Sequence, residues 1–220
     1  MFLQLIFEKK QIMKKCIVLN LLVSVIMVVP SYGQQKKDDL KMTSLYGSDN
    51  KELLDLFRFE NIDCYKINFN GKELKSKTYN ITVKEIWNGK IKSESSVFNS
   101  KEMAGIGMDK VNDTTLNIKV LSKLTPKNKL KITFQFSRFS TTKEYEAVES
   151  NEYSLRNLAE ESKLEIGYNK SFHFLAYILP YKRADGSKSW CEVGSSGKDI
   201  ENWGKKFGIK HYLLFEMKFE

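Results

Sequence analysis

Between Lys129 and Ser137 the chain reads KLKITFQFS, in which Leu130, Ile132, Phe134 and Phe136 alternate strictly with Lys131, Thr133, Gln135 and Ser137. Only an extended backbone puts every second side chain on one face, so this stretch predicts a strand with one buried and one wet surface. The same period of two recurs in Tyr65, Ile67 and Phe69, and again in Leu116, Ile118 and Val120. TYNITVKEIW and KIKSESSVF flank Asn88-Gly89, and two such runs around Asn-Gly predict a hairpin, because both residues accept the left-handed backbone of a tight turn. Further turns are expected at Asn70-Gly71, Pro126-Lys127-Asn128 and Asp185-Gly186. SFHFLAYILPY is apolar on both faces and predicts a central strand covered on two sides, and KHYLLFEMKF predicts a last strand.

Eight or nine strands at these spacings, without βαβ alternation, predict an all-β fold: an antiparallel sandwich, immunoglobulin-like or similar, with one or two short helices. A closed barrel is the alternative, since strand number alone does not separate the two. One helix is expected near 50–59, where Asp49 and Glu52 stand at capping-box spacing ahead of Leu53, Leu56 and Phe57. The other is expected after Asp199, a candidate N-cap, with Ile200, Trp203 and Phe207 on one face and Gly208 ending it. MAGIGM suits a bend, and the region around Leu155–Glu161 reads as strand or short helix.

The N-terminal region sets the expected compartment. From Met13 come two lysines, an apolar run from Ile17 to Val29, Pro30, and then Ser31 and Gly33 at −3 and −1 of a cut before Gln34. That order is a secretory signal peptide over residues 1–33, with Met13 as the expected start. The apolar run is shorter than the ~20 residues a membrane span needs, and no cysteine stands at the cut to take a lipid. Residues 34–48 are expected to be a loose leader and 49–220 a single β-rich domain. The expected location is therefore periplasmic or extracellular, in a bacterium, with no membrane span once the signal is removed.

The chain carries 36 basic and 27 acidic residues, a net charge of +9. The excess is spread through Lys66, Lys84, Lys119, Lys131 and Lys205 rather than gathered on one element, which disfavours nucleic acid and suits solvated strand faces. A weak attraction to anionic sugars or lipid surfaces is compatible with it. Beyond the signal only Cys64 and Cys191 remain. In an oxidising compartment they are a candidate disulfide, closing a loop of about 127 residues and contributing roughly 4–5 kcal/mol. The alternative is two buried thiols behaving as small apolar side chains. Two thiols and two separated histidines make no metal-ligand spacing, and no cofactor is expected.

Catalytic motifs do not assemble. In CEVGSSGKDIENW the Gly197-Lys198 pair resembles part of a phosphate loop, but Glu192 stands where its first glycine belongs and Asp199 where its hydroxyl belongs. Both acids would repel phosphate. His173 and His211 sit in apolar strands and read as hydrogen-bonded strand residues. Ser195 and Ser196 lack a nucleophile elbow, and the spacing of Glu85, Glu144, Glu146 and Glu192 singles out no carboxylate pair. Three tryptophans remain. Trp87 and Trp190 are the candidate ligand-binding residues, Trp87 because it abuts a hairpin turn; Trp203 is expected to point inward.

The leader MKKCIVLNLLVSVIMVVPSYGQ, the lysine- and asparagine-rich strands and the closing HYLLFEMKFE resemble small exported proteins of Gram-negative gut bacteria, several of whose families are domains of unknown function. The resemblance implies a periplasmic or surface location and carries no site residue across. Three functions are expected in order: a non-catalytic binding or accessory module recognising a glycan or protein partner through a sheet face or loop ends; a hydrolase acting on an envelope or dietary polymer; and a structural envelope protein.

Overall fold

The computed structural model describes residues 39–190 and 199–220. The signal segment, Cys191 and the glycine-rich stretch through Lys198 lie outside them. In chain order the elements are β1 (Lys41–Tyr46), α1 (Lys51–Phe59), β2 (Asp63–Asn70), β3 (Tyr79–Trp87), β4 (Lys90–Asn99), a 3-10 helix (Ser100–Ile106), β5 (Thr115–Leu124) and β6 (Lys129–Gln135). There follow β7 (Ser140–Glu146), β8 (Ser154–Asn157), β9 (Phe172–Ile178), β10 (Tyr181–Lys182), β11 (Lys188–Ser189), a 3-10 turn (Ile200–Asn202) running into α2 (Trp203–Phe207), and β12 (His211–Phe219).

Two five-stranded antiparallel sheets make an all-β sandwich. The first has the order β1-β2-β5-β6-β7 and the second β4-β3-β12-β9-β8. Their inner faces meet through aromatic rings. Phe69 of β2 packs on Phe219 of β12 at 5.3 Å and on Phe172 of β9 at 6.1 Å, and Phe134 of β6 packs edge-on to Phe215 of β12 at 5.5 Å. The alternation that predicted the strands places Ile67, Phe69, Ile118, Val120, Ile132 and Phe134 in this core, each essentially inaccessible. Burying each side chain of this size contributes roughly 1.5–3 kcal/mol, so the core is the dominant stabilising term.

The β3–β4 hairpin turns at Asn88-Gly89 as predicted, with both residues at positive φ (49° and 72°). The second sheet also carries an irregularity that matters below. β9 and β12 shift register between Phe215 and Glu216, so that Phe215 opposes Leu175 while Glu216 opposes His173. The extra residue lets Phe172 and Phe174 face the core while His173 is aimed outward beside Glu216, a re-aiming that bulges commonly perform.

Several local expectations are corrected. Residues 41–46, expected in a loose leader, form β1, because Leu40 and Met42 reach the core and six residues pair with β2. Helix α1 is capped by Asn50, whose side chain accepts from Leu53 N at 3.0 Å; Asp49 instead pairs with Lys66 at 3.4 Å. The MAGIGM bend is a 3-10 helix ended by left-handed Gly107. Asp199 stands at the start of its helix but makes no backbone cap; its Oδ1 accepts from Asn202 Nδ2 at 2.6 Å, since the chain begins there as a 3-10 turn. Trp203 does point inward and is buried on the outer side of the second sheet, where the Tyr212 hydroxyl donates to Ile200 O at 3.0 Å and accepts from Gly204 N at 3.3 Å. Gly208 ends the helix in the left-handed conformation, as expected.

Candidate functional site

The candidate binding residues Trp87 and Trp190 are both engaged in the fold. Trp87 faces the sandwich interior at one end, donates from Nε1 to Glu85 Oε1 at 2.5 Å, and stacks on His211 with ring centroids 4.1 Å apart. Lys92 covers its other side, 5.1 Å from the ring centre. Trp190 donates to the carbonyl of Glu152 at 2.7 Å and lies under the Arg156 guanidinium. Each ring is half-buried. Cys64 is a free, buried thiol whose pKa burial raises; Cys191 lies outside the described residues.

Among the described residues two polar constellations resemble catalytic ones, and each contains a buried histidine Nε2 that makes no well-formed hydrogen bond. In the first, the Tyr153 hydroxyl accepts from Val148 N at 3.0 Å and shares a hydrogen bond with His211 Nδ1 at 2.6 Å. His211 Nε2 has no hydrogen-bond partner among the described residues, and Glu85 Oε1 lies 3.8 Å from it. Desolvation in this fully buried position lowers the His211 pKa to about 4, so the ring is neutral.

The second lies on the outer face of the second sheet. His173 Nε2 is 2.8 Å from Glu216 Oε1 and 3.7 Å from Glu201 Oε1, the donor set of a metal centre. The ammonium of Lys84, however, sits 2.9 Å from that Glu216 oxygen and 2.5 Å from that Glu201 oxygen. The protein's own cation thus occupies the middle of the cluster and ties the helical segment through Glu201 to the sheet. The contact with His173, together with Lys84, brings the Glu216 pKa down to about 2 against the opposing effect of burial. Burial acting alone would lower the Lys84 pKa, but the two carboxylates hold it above its ordinary value.

A cleft of about 770 Å³ opens at one end of the sandwich, under Leu54 and Phe57 of α1. In its wall Asp63 accepts from the Tyr46 hydroxyl at 2.7 Å and from Leu155 N at 2.8 Å, and burial raises the Asp63 pKa despite both bonds.

The outer face of the first sheet is different in kind. KIN at 66–68 and NIK at 117–119 are the same residues in opposite order. Antiparallel pairing of β2 with β5 therefore sets Lys66 opposite Lys119, Ile67 opposite Ile118 and Asn68 opposite Asn117. The isoleucines are buried, and the lysines and asparagines face water. Asn68 Nδ2 donates to Asn117 Oδ1 at 2.7 Å, which leaves the acceptor Asn68 Oδ1 and the donor Asn117 Nδ2 outside that bond. Gln135 stands across from Lys119 on β6, and Thr43 across from Asn68 on β1. Together with Leu45, 44% exposed, these side chains line a groove of about 650 Å³ to which, among the described residues, no carboxylate contributes.

None of these groove residues was singled out as a site in the sequence. The signal was present in the reversed triplets, but it acquires meaning only once β2 and β5 are known to be partners across a long connection. No family model, no curated protein and no solved structure matches the chain. Among the described residues, no helix is long and apolar enough to cross a membrane.

Proposed function

We propose that this protein is an exported, non-catalytic binding module of a bacterial envelope that recognises a glycan through the outer face of its first sheet. The observation that carries the reading is the Lys66–Lys119 and Asn68–Asn117 pairing within a groove that no carboxylate lines among the described residues. Side-chain amides offer a donor and an acceptor in one plane, the arrangement that engages neighbouring sugar hydroxyls, and Leu45 and Thr43 supply apolar surface for a ring. The complete burial of His211 and the Lys84 ammonium bridging Glu201 and Glu216 favour a structural role for both clusters over a catalytic one.

A glycan panel probed with the protein and with the doubly substituted Asn68→Ala, Asn117→Ala variant tests the reading. Binding is expected for the unmodified chain and for an exposed second-sheet control, Glu94→Gln, and is expected to be lost in the double variant. Binding retained by the double variant removes the site from this face. Absence of any glycan binding returns the reading to a protein partner. The hydrolase alternative is favoured by the convergence of Glu201, Glu216 and His173. Polymer cleavage that disappears in Glu201→Gln would establish that alternative instead.

A further inference from the structure

We infer that the ligand of this face is an acidic polysaccharide, one whose sugar rings carry carboxylate groups; the inference rests on the glycan reading above. The first support is an electrostatic imbalance built into the sheet. Like charges directly opposite on neighbouring strands are destabilising, yet β2 and β5 place Lys66 against Lys119. Lys66 finds Asp49 at 3.4 Å on a side chain that is itself highly exposed, whereas Lys119 makes no ion pair among the described residues. A carboxylate placed between the two ammoniums relieves that repulsion; among the described residues no acidic side chain lines the groove, and Asp49 reaches Lys66 from outside it.

The second support is the extent of the basic surface. The groove shares Asn117, Phe136 and Ser137 with a smaller hollow of about 170 Å³ whose wall carries Lys110 and Arg138. The one carboxylate there, Asp113, is turned back on its own chain, accepting from Thr114 N at 2.7 Å. Positive groups thus recur along a continuous track, first Lys66 and Lys119, then Lys110 and Arg138, with amides and hydroxyls between them. A track of that form matches a chain with repeated negative charge and repeated hydroxyls better than a single small anion. The amides at 68 and 117 would read the hydroxyls, and the lysines the charge.

Affinity electrophoresis in gels containing polygalacturonate or neutral dextran tests this with the full protein. Polygalacturonate is expected to retard it and dextran not. Lys66→Gln and Lys119→Gln are each expected to weaken retardation about tenfold, the size of one charge-assisted hydrogen bond, and together to abolish it. Because the substitutions remove a repulsion, thermal stability should stay level or rise, which separates loss of binding from loss of fold. Retardation by dextran that the lysine substitutions leave intact would overturn the acidic class while preserving a glycan site. Retardation by polygalacturonate that survives both substitutions would overturn the assignment to these lysines. No retardation by polygalacturonate, with lysine-dependent binding to phosphatidylglycerol vesicles, would overturn the inference in favour of a lipid surface. No retardation by either polysaccharide and no vesicle binding would overturn it together with the glycan reading.

Discussion

The hydroxyl of Tyr153 stands 2.6 Å from Nδ1 of His211, and burial of that imidazole keeps it neutral at one end of the sandwich. The consequence is acid sensitivity. The His211 pKa is about 4 in the folded chain against 6.5 for the free side chain, so below pH 6.5 the unfolded chain takes up a proton that the folded one refuses. Stability from this group is fully present above pH 6.5 and is lost progressively down to pH 4, by on the order of 3 kcal/mol. Urea unfolding at a series of pH values should show that loss, and His211→Phe should remove most of the slope in this window. Equal slopes in the two proteins would show that His211 is not the group responsible.

The hairpin turn and the last helix approach so closely that neither tolerates a side chain. A Cβ on Gly204 would lie 2.6 Å from the backbone of Gly89, and Gly89 is itself held at φ 72°. Gly204→Ala, normally favourable in a helix, is expected to destabilise by about 1–3 kcal/mol through overpacking. Gly105→Ala has open space around it and serves as the control, with little change expected. Thermal melts of the two variants decide the matter; equal melting temperatures would mean the turn can move away.

Lys84 bridges Glu201 and Glu216, and with a side chain only 15% exposed it has little water to replace them. Lys84→Met leaves the two carboxylates facing each other with only His173 between them. The expected loss is about 2 kcal/mol, since hydrogen bonds to charged groups are each worth roughly 1.5–3 kcal/mol and the partners are incompletely buried. The loss should change little with added salt, because screening acts weakly on sheltered pairs. Amide exchange should localise the loosening to the segment 200–207. A uniform effect across the sheet would point to core damage instead.

The strands were legible in the sequence because their physics is local. Alternation in KLKITFQ and YKINF requires no knowledge of partners, and Asn88-Gly89 states its turn type in two residues. Strand β1 was illegible for the opposite reason. KMTSLY carries one strongly buried side chain, Met42, and gains its structure from six pairings with β2. The site lay at the same remove. Lys66 and Lys119 read as scattered charge until register joined them, and His173 read as an ordinary strand residue until the bulge at Phe215 aimed it at Glu216. Trp87 drew notice by its place beside a turn, but the carboxylate at position 85 that accepts from its indole N–H was not legible as its partner.

Backbone amide shifts of ¹⁵N-labelled protein titrated with an oligogalacturonate test the central claim most directly. The account predicts saturable changes concentrated at Lys66, Asn68, Asn117, Lys119 and Gln135, fading toward the opposite sheet. Changes gathered at Tyr46, Asp63 and Tyr153, around the end cleft, or no changes at saturating ligand, would contradict it.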